Sequence, residues 1–260
     1  MSRAGFWRKL STRILPHIPA GGTQAAIFIW EKRLHTMSLA IFDLDNTLLA
    51  GDSDHRWGEF LCEKNWASAD DYRLRNDQFY ADYQAGSLDM HAYLSFVLGP
   101  LRGKHRKEVQ ALQHEFVRDC IEPMLLDKAF ALIDQHRIAG DMLLLMTATH
   151  AVVAEPVAAR LGFEQWLCSG VGIDQDHYTG QPDGPPCFQE GKISHLERWR
   201  AKWDTATQPL PAMEDTWFYS DSHNDLPLLA SVGHPVAVDP DPTLRRHAED
   251  NHWQILSLRD

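Results

Sequence analysis

From residue 38 onward, short apolar segments alternate with segments of helical periodicity. Residues 38–42 form a brief apolar run that ends in acidic and turn-forming residues, and residues 141–146 form a second run about a hundred residues later. Such runs are typical of buried parallel strands, and their alternation with helices predicts an α/β fold, a Rossmann-like parallel sheet with right-handed crossovers. Ligands of such sheets bind beyond the carboxyl ends of the strands, so functional residues are expected there.

The same alternation continues after the second strand. Helices are predicted from periodicity and stop signals such as Gly140, and strands from short apolar runs. The predicted strands are residues 165–168, 216–219, 235–238 and 253–256, and the predicted helices are residues 125–137, 151–161, 192–202, 225–231 and 242–249. We therefore assign residues 38–50 and 124–260 to a core domain that carries the sheet.

The interval between the first two strands is different in kind, because it contains no apparent strand. Its pattern indicates four helices, over residues 53–64, 69–84, 88–98 and 104–120, separated by Gly and Pro signals. Helices inserted at this point would stand over the carboxyl edge of the sheet, where a lid excludes water and contacts a substrate. We predict an all-helical cap over residues 51–123.

The N-terminal segment, residues 1–37, differs from the rest of the chain in charge. Residues 1–36 hold six Lys and Arg against one Glu, whereas the whole chain carries a net charge of -11. Three interpretations remain open: a basic arm that touches membranes or partners, a targeting segment, or sequence upstream of a natural start at Met37. We favour the third, because the strand pattern begins directly after Met37.

Composition argues against several classes of function. The chain of 260 residues has 36 Asp and Glu against 25 Lys and Arg, which speaks against a nucleic-acid partner, because phosphate neutralisation needs clustered basic residues. No apolar run approaches the roughly 18 residues that a membrane-spanning helix needs. The four cysteines are widely separated, which predicts reduced thiols and a cytoplasmic location. The sequence gives no signal of oligomeric state.

Acidic residues directly follow the first predicted strand. Asp43, Asp45 and Thr47 lie in one loop, which can aim a carboxylate and a backbone carbonyl at the same cation. Oxygen ligands of this kind suit Mg2+, which keeps several waters and takes a substrate phosphate as a further ligand. A turn that is simply rich in Asp and Asn is the alternative interpretation.

Three further polar groups stand at later strand ends. Thr147 and Ala148 follow the second strand and offer a hydroxyl and backbone N–H groups to a phosphate oxygen. Lys192 opens a helix and could place its ammonium against phosphate and carboxylate together. Asp221 and Asp225 follow a later strand, although the helix dipole alone also favours an acid at Asp225. Each signal is weak alone, and their order at successive strand ends is much more specific.

This set of motifs resembles the haloacid dehalogenase (HAD) superfamily of phosphohydrolases, whose pattern is an Asp-x-Asp-x-Thr loop, a strand-terminal Thr or Ser, a Lys and an acidic pair. The likeness covers residues 38–260. The helical insert is similar to the C1 cap of subfamily IB, which includes phosphoserine phosphatase. Residues 51–55, 57–60 and 233–242 look most like bacterial members described as histidinol-phosphate phosphatases.

The resemblance implies a Mg2+-dependent phosphomonoester hydrolase with a covalent intermediate. Asp43 would attack phosphorus and form an aspartyl-phosphate, which water then hydrolyses. Asp45 would protonate the leaving alkoxide as general acid and then take a proton from the attacking water as general base. Mg2+ would be held by Asp43, by the backbone carbonyl of Asp45 and by Asp221.

The remaining motif residues acquire supporting roles from the same resemblance. Lys192 and Thr147 would stabilise the transferring phosphoryl group, and Ala148 would contact the substrate. Asp225, with Asn224 beside it, would orient Lys192 or a water on the ion rather than bind the ion directly.

Substrate choice would rest on cap residues. Asp52 lies nine residues after the expected nucleophile, where related phosphoserine phosphatases carry the acid that receives the substrate's ammonium, and N-capping of the first cap helix is the alternative. Arg56 could meet a substrate carboxylate or be an exposed surface charge. Trp57 and Trp66 could stack on a ring or belong to the core of the cap.

Two departures weaken a match to phosphoserine phosphatase itself. Residues 147–149 are Thr-Ala-Thr where that enzyme has Ser-Gly-Gly, and residues 222–223 are Ser-His where its acidic motif has Gly. Histidinol phosphate, which has an amine and an imidazole but no carboxylate, is therefore the preferred small-molecule substrate, and phosphoserine is the alternative. Phosphotransfer to an acceptor other than water and a non-catalytic binding module also stay open, although the intact acids and Lys192 speak against the latter.

Overall fold

The computed structural model describes residues 37–203 and 209–259 and is organised around a seven-stranded sheet. The strands are β1 (Leu39–Phe42), β2 (Met142–His150), β3 (Trp166–Asp174), β4 (His177–Asp183), β5 (Thr216–Ser220), β6 (His234–Val238) and β7 (Gln254–Leu256). Their spatial order is β4-β3-β2-β1-β5-β6-β7, and neighbouring strands are parallel except for the antiparallel pair β3 and β4. The predicted parallel α/β sheet is confirmed.

Strand β1 lies in the middle of the sheet because it is apolar at every position. All four side chains are fully buried, and successive side chains point to opposite faces. Leu39 and Ile41 belong to the hydrophobic cluster on one face, and Ala40 and Phe42 to the cluster on the other. Parallel pairing with β2 and β5 places the end of β1 between two other strands. Residues that follow β1 therefore meet residues that follow its neighbours.

The sequence prediction missed strand β4 and most of β3. Residues 165–168 mark only the start of β3, which continues to Asp174 and pairs with β4 in a hairpin. Most residues of the hairpin are partly or fully exposed, so neither strand has the continuous apolar run that identifies the others. Gln175 and Asp176 turn the chain with φ of 45° and 64°, as two-residue hairpin turns require.

Within the described ranges, nine α-helices accompany the sheet. They are α1 (Ser53–Glu63), α2 (Ala69–Gln84), α3 (Met90–Leu98), α4 (Arg106–Phe116), α5 (Asp127–Ala139), α6 (Ala151–Leu161), α7 (Glu190–Lys202), α8 (Leu226–Leu229) and α9 (Pro242–Asp250). Gly140 ends α5 with a φ of 79°, which glycine adopts without strain. The helix predicted over residues 225–231 is shorter than expected, because α8 follows a 3-10 turn over His223–Asp225.

Helices α1 to α4 occupy the chain between β1 and β2 and pack against one face of the sheet. One hydrophobic cluster joins Phe42 and Tyr219 of the strands with Trp57 and Phe116 of the insert. The four helices agree with the expected helical insert, while its limits at residues 51 and 123, and hence the division into cap and core, remain predictions.

The prediction for residues 1–37 concerns a segment that lies, apart from Met37, outside the described residues. In the part of the chain that the structure describes, no helix combines the length and the apolar character needed to cross a lipid bilayer.

Candidate active site

The ends of β1, β2 and β5 bring the predicted motif residues together at one edge of the sheet. Asp43 extends β1, and its backbone N–H donates to the carbonyl of Tyr219 in β5 at 2.9 Å. On the other side of β1, Phe42 is aligned with Leu145 of β2, so that Thr147 lies slightly further along. Carboxyl ends of adjacent parallel strands share an edge, which is why residues far apart in sequence converge here.

A buried ammonium connects two of these carboxylates. Lys192 stands in the first turn of α7 and is 2% exposed. Its Nζ donates to Asp43 Oδ1 at 2.8 Å and to Asp225 Oδ2 at 2.7 Å. Burial alone lowers the pKa of Lys192, but the carboxylates of Asp225 and Asp43 outweigh that effect and raise it above its usual value. The side chain is therefore charged and fixed, with one N–H left for a substrate oxygen.

Burial and neighbouring charges also set the pKa of Asp43. Burial raises the pKa of Asp43 to about 7, against the pull of the Lys192 ammonium, and the charge of Asp225 raises it further. Asp225 also accepts a hydrogen bond from the Ser220 hydroxyl at 2.7 Å. In this way Asp225 is the fixed partner that holds Lys192 against Asp43.

Thr47 links Asp43 to Asp221. Its hydroxyl oxygen lies 3.3 Å from Asp43 Oδ2 and 3.2 Å from Asp221 Oδ1, and it accepts the backbone N–H of Asp221 at 3.0 Å. Burial, together with the charges of Asp43 and Asp225, raises the pKa of Asp221 well above its usual range. Two carboxylates that face one hydroxyl in a buried place are suited to share a cation.

Asp45 is held from both sides of the cavity. The backbone N–H of Ser53, in the first turn of α1, donates to Asp45 Oδ1 at 2.6 Å. The hydroxyl of Thr149, at the end of β2, donates to Asp45 Oδ2. Burial and the nearby charge of Asp52 raise the pKa of Asp45 to about 6, although these hydrogen bonds oppose the rise. A carboxyl with a pKa near neutrality can both give and take a proton.

A cavity opens between this edge of the sheet and the helical insert. Of the predicted site residues, those that line it are Asp43, Asp45, Asp52, Thr147, Ala148, Lys192, Asn224 and Asp225. Asp221 adjoins the group through Thr47. Asn224 also contacts the insert, because its Nδ2 donates to the carbonyl of Tyr83 at 3.2 Å. The structure thus brings together every predicted site residue except Arg56.

Two expectations for insert residues need comment. Asp52 does both things considered for it, because it lines the cavity and also N-caps α1 by accepting the N–H of His55 at 2.8 Å. Arg56 does not line the cavity and donates to both oxygens of Glu63, at 2.8 and 3.2 Å, on the outer face of α1. We therefore leave Arg56 out of the proposed site.

Of the two interpretations of Trp57 and Trp66, stacking on a ring is not supported by their positions. Trp57 is fully buried against Phe60 and Phe116, and Trp66 lies under the ammonium of Lys104. Neither lines the cavity. Both belong to the packing of the insert, as the alternative interpretation held.

Sequence reasoning missed several residues of the cavity wall. Thr149 completes the Thr-Ala-Thr segment and stands where phosphoserine phosphatase has Gly. This substitution was the signal that its side chain could line the cavity. Asp54 lies two residues after Asp52, and this proximity in sequence was the only signal that it could line the cavity. The remaining lining residues had no signal in the sequence, because their direction depends on how the chain packs; they are His55, Asn76, Phe79, Tyr80, Tyr83, Leu88, Met90, Tyr93 and Phe188.

Comparisons with known proteins identify the family of this chain. A family model described as haloacid dehalogenase-like hydrolase matches residues 40–230. A histidinol-phosphatase of Neisseria meningitidis serogroup C (strain 8013) is 38% identical over 223 residues, covering 85% of this chain and 99% of the relative. A phosphoserine phosphatase of Mycobacterium tuberculosis (strain ATCC 25618 / H37Rv) is 30% identical over 223 residues, covering 85% of this chain and 70% of the relative.

Solved structures of other proteins share the fold of this chain. A protein of unknown function from Bordetella pertussis Tohama I has a TM-score of 0.77 at 36% identity, covering 86% of this chain and 100% of that chain. A substrate-bound phosphoserine phosphatase has a TM-score of 0.62 at 15% identity, covering 86% of this chain and 94% of that chain, a likeness that concerns the fold alone. The family match, the relatives and the converging motif residues together establish that this chain belongs to the haloacid dehalogenase-like hydrolase family.

Proposed function

We propose that this protein is a phosphoric monoester hydrolase that transfers a phosphoryl group from a small metabolite to Asp43 and then to water. The observation that carries the proposal is the contact of Asp43 with the buried ammonium of Lys192. The same ammonium also donates a hydrogen bond to Asp225. A carboxylate held in one orientation beside a cation is suited to attack an anionic phosphate.

The oxygen donors beside Asp43 fit a divalent cation such as Mg2+. Asp43 and Asp221 face the same hydroxyl, and the raised pKa of Asp221 shows how strongly burial and like charge oppose its ionisation without a counter-ion. Among the described residues, no group of three or more His, Cys, Asp or Glu side chains is arranged to hold a metal. The ion would thus take two carboxylates and the backbone carbonyl of Asp45, in keeping with Mg2+, which uses few protein side chains. When bound, it would offset the charge of phosphate and carboxylates.

The reaction proceeds in two displacements at phosphorus. In the first, a carboxylate oxygen of Asp43 attacks, the bond between phosphorus and the alcohol oxygen breaks, and Asp45 gives its proton to that oxygen. In the second, water attacks the aspartyl-phosphate and gives a proton to Asp45, and the bond between Asp43 and phosphorus breaks to release inorganic phosphate. One proton leaves Asp45 and one returns, so the enzyme ends in its starting state.

The remaining core residues would bind the transferring group. Thr147 is 1% exposed, and its hydroxyl oxygen accepts the backbone N–H of Thr149 at 3.2 Å, which leaves the hydroxyl proton for a phosphate oxygen. Lys192 has one N–H left for a second oxygen, and Ala148 lines the cavity beside it. Donors fixed before the substrate arrives need no reorganisation in the transition state.

The charges of the cavity favour an amine-bearing substrate. Within the described residues, Lys192 is the one Lys or Arg that lines the cavity, and it is paired with Asp43 and Asp225. An ammonium group would find Asp52, whereas the carboxylate of phosphoserine would find no Lys or Arg of its own. Histidinol phosphate therefore fits better than phosphoserine, which is kept as the alternative because one relative is a phosphoserine phosphatase. A cytoplasmic location is part of the proposal and rests on the separated cysteines.

A substrate panel tests the proposal. With Mg2+ present, we expect kcat/KM for histidinol phosphate to exceed that for phosphoserine and for sugar phosphates, and EDTA to abolish turnover. Absence of turnover on every phosphomonoester, with binding retained, would instead indicate a binding module. Transfer to added alcohols at the expense of free phosphate would indicate a phosphotransferase.

A further inference from the structure

The insert side of the cavity carries two buried oxygens that accept no hydrogen bond from the described residues. They are Oδ1 of Asp54 and Oδ1 of Asn76, in residues that are 6% and 2% exposed. Both residues line the cavity. A buried acceptor left without a donor costs free energy, and a ligand that supplies the donor regains it.

Asn76 is oriented by its surroundings. Its Nδ2 donates to the carbonyl of His55 at 2.9 Å, which assigns the amide nitrogen and leaves Oδ1 as the other end. The amide lies directly over Gly58, where a Cβ would come within 2.7 Å of Nδ2. The absence of a side chain at Gly58 is what lets α1 and α2 approach and hold this amide in place.

Asp54 lies among groups that act on its carboxyl. The Tyr93 hydroxyl and the backbone N–H of His150 lower the pKa of this carboxyl, against the effect of burial. The ring Nε2 of His150 lies 3.1 Å from Oδ1 of Asp54 without hydrogen-bond geometry. Burial lowers the pKa of His150 to about 3, so the ring is neutral and supplies no charge to Asp54.

Among the described residues that line the cavity, no Lys or Arg pairs with Asp52 or Asp54, and His55, which lowers the pKa of Asp52, also contacts Asp77 at 2.9 Å. Burial, then the charges of Asp52 and Asp45, raise the pKa of Asp54 well above its usual range. Burial also raises the pKa of Asp52. Because the one Lys or Arg among the described lining residues is Lys192, already paired, a cationic ligand would relieve this repulsion and a carboxylate would increase it.

We infer that Asp52, Asp54 and Asn76 form a nitrogen-binding subsite for a phosphomonoester that carries an ammonium group and a second N–H donor but no carboxylate. The inference rests on the proposed function and adds Asp54 and Asn76 as the residues that select the second nitrogen. Asp52 receives the ammonium, and the two free oxygens receive the second donor. The flat side chains of Phe79 and Tyr80 also line the cavity and suit a planar ring that bears this nitrogen.

The test compares three substrates in the Mg2+-loaded enzyme: histidinol phosphate with two nitrogen groups, phosphoethanolamine with one, and p-nitrophenyl phosphate with no N–H donor. Asp54→Asn keeps the shape of the side chain and replaces an acceptor by a donor. We expect its loss of kcat/KM to be at least about 10-fold larger for histidinol phosphate than for the other two. Asp71→Asn, which removes an exposed acid of α2 away from the cavity, is the matched control and should leave all three unchanged.

Equal losses on all three substrates, or none, would overturn the subsite while leaving the phosphatase proposal standing. If the wild type hydrolyses none of them, the proposed function itself fails.

A second measurement needs no variant. As inhibitors of p-nitrophenyl phosphate hydrolysis by the wild type, L-histidinol should bind at least about 10-fold more tightly than L-histidine, which differs by a carboxylate. Equal inhibition by the two compounds would contradict the inference.

Discussion

The two walls of the cavity handle charge differently. On the sheet side, Lys192 pairs with Asp43 and Asp225, and Thr47 contacts both Asp43 and Asp221. On the insert side, Asp52 and Asp54 have no Lys or Arg opposite them among the described residues. We propose that the sheet wall, completed by a metal ion, binds the phosphate that all phosphomonoesters share. The insert wall would then contact the rest of the substrate, which differs from one phosphomonoester to another.

The largest expected effect comes from Asp43, the proposed nucleophile on the sheet side. Asp43→Asn should lower kcat by at least about 10^4-fold and abolish the phosphoenzyme, because the amide cannot replace the carboxylate as nucleophile. Mass spectrometry of acid-quenched enzyme measures the intermediate, and circular dichroism checks the fold. Turnover retained by the folded variant would remove Asp43 from its proposed role.

The next effect concerns metal and pH. In the metal-free protein, the pKa of Asp43 is about 7 and that of Asp45 about 6, against an ordinary value of 3.8. Groups whose pKa is raised by folding keep their protons longer in the folded state, so the free energy of unfolding falls as pH rises from about 4 towards 7. At pH 7.5, Mg2+ at 100 times its Kd should raise Tm by about 5–10 °C.

Thermal unfolding with Mg2+ or EDTA at pH 5 and pH 7.5 measures this difference. At pH 5 the carboxyls hold more protons and compete with the metal, so the shift should be much smaller there. An equal shift at both values would mean that Mg2+ binds elsewhere.

A smaller effect tests the contact between β2 and Asp45, the proposed general acid. Thr149→Val removes the hydroxyl that donates to Asp45, and kcat/KM for histidinol phosphate should fall about 10-fold. The loss should be smaller for p-nitrophenyl phosphate, whose leaving group needs no proton. Thr149→Ser keeps the hydroxyl and should recover most of the activity. Equal losses with both substrates would indicate that Thr149 serves packing rather than the position of Asp45.

The smallest effect is expected on the outer face of the insert. Arg56→Ala removes a partly exposed ion pair with Glu63 and should change the free energy of unfolding by under about 1 kcal/mol. Its kcat/KM values should stay within about two-fold of the wild type. A KM increase confined to phosphoserine would return Arg56 to the site as a carboxylate-binding residue.

The sheet wall could be predicted from sequence because its geometry follows from topology. Apolar runs identify β1, β2 and β5, parallel strands place their carboxyl ends at one edge, and Asp43, Thr147 and Asp221 must then lie close together. No comparable rule applies to the β3 and β4 hairpin, whose mixed exposure hides its strands.

Apart from Asp52, the insert wall could not be predicted, because it depends on the rotation of each helix. Asp52, Asp54 and His55 line the cavity, whereas Arg56, one position further along α1, points to Glu63 and Trp57 enters the core. A step of one residue turns a helix by about 100°, so neighbours in sequence have unrelated surroundings. Which of them faces the cavity is decided by packing against α2 and the sheet.

The two hydrogen bonds that Asp45 accepts limit how this enzyme could be re-engineered. One of its two hydrogen bonds comes from the main chain of Ser53, at the start of the helical insert that we propose selects the substrate. A chimera that receives a foreign set of helices would need to keep the native junction through Ser53, or the graft would slow proton transfer for every substrate, old or new. Exchange of side chains further along the helices is the safer route to new specificity.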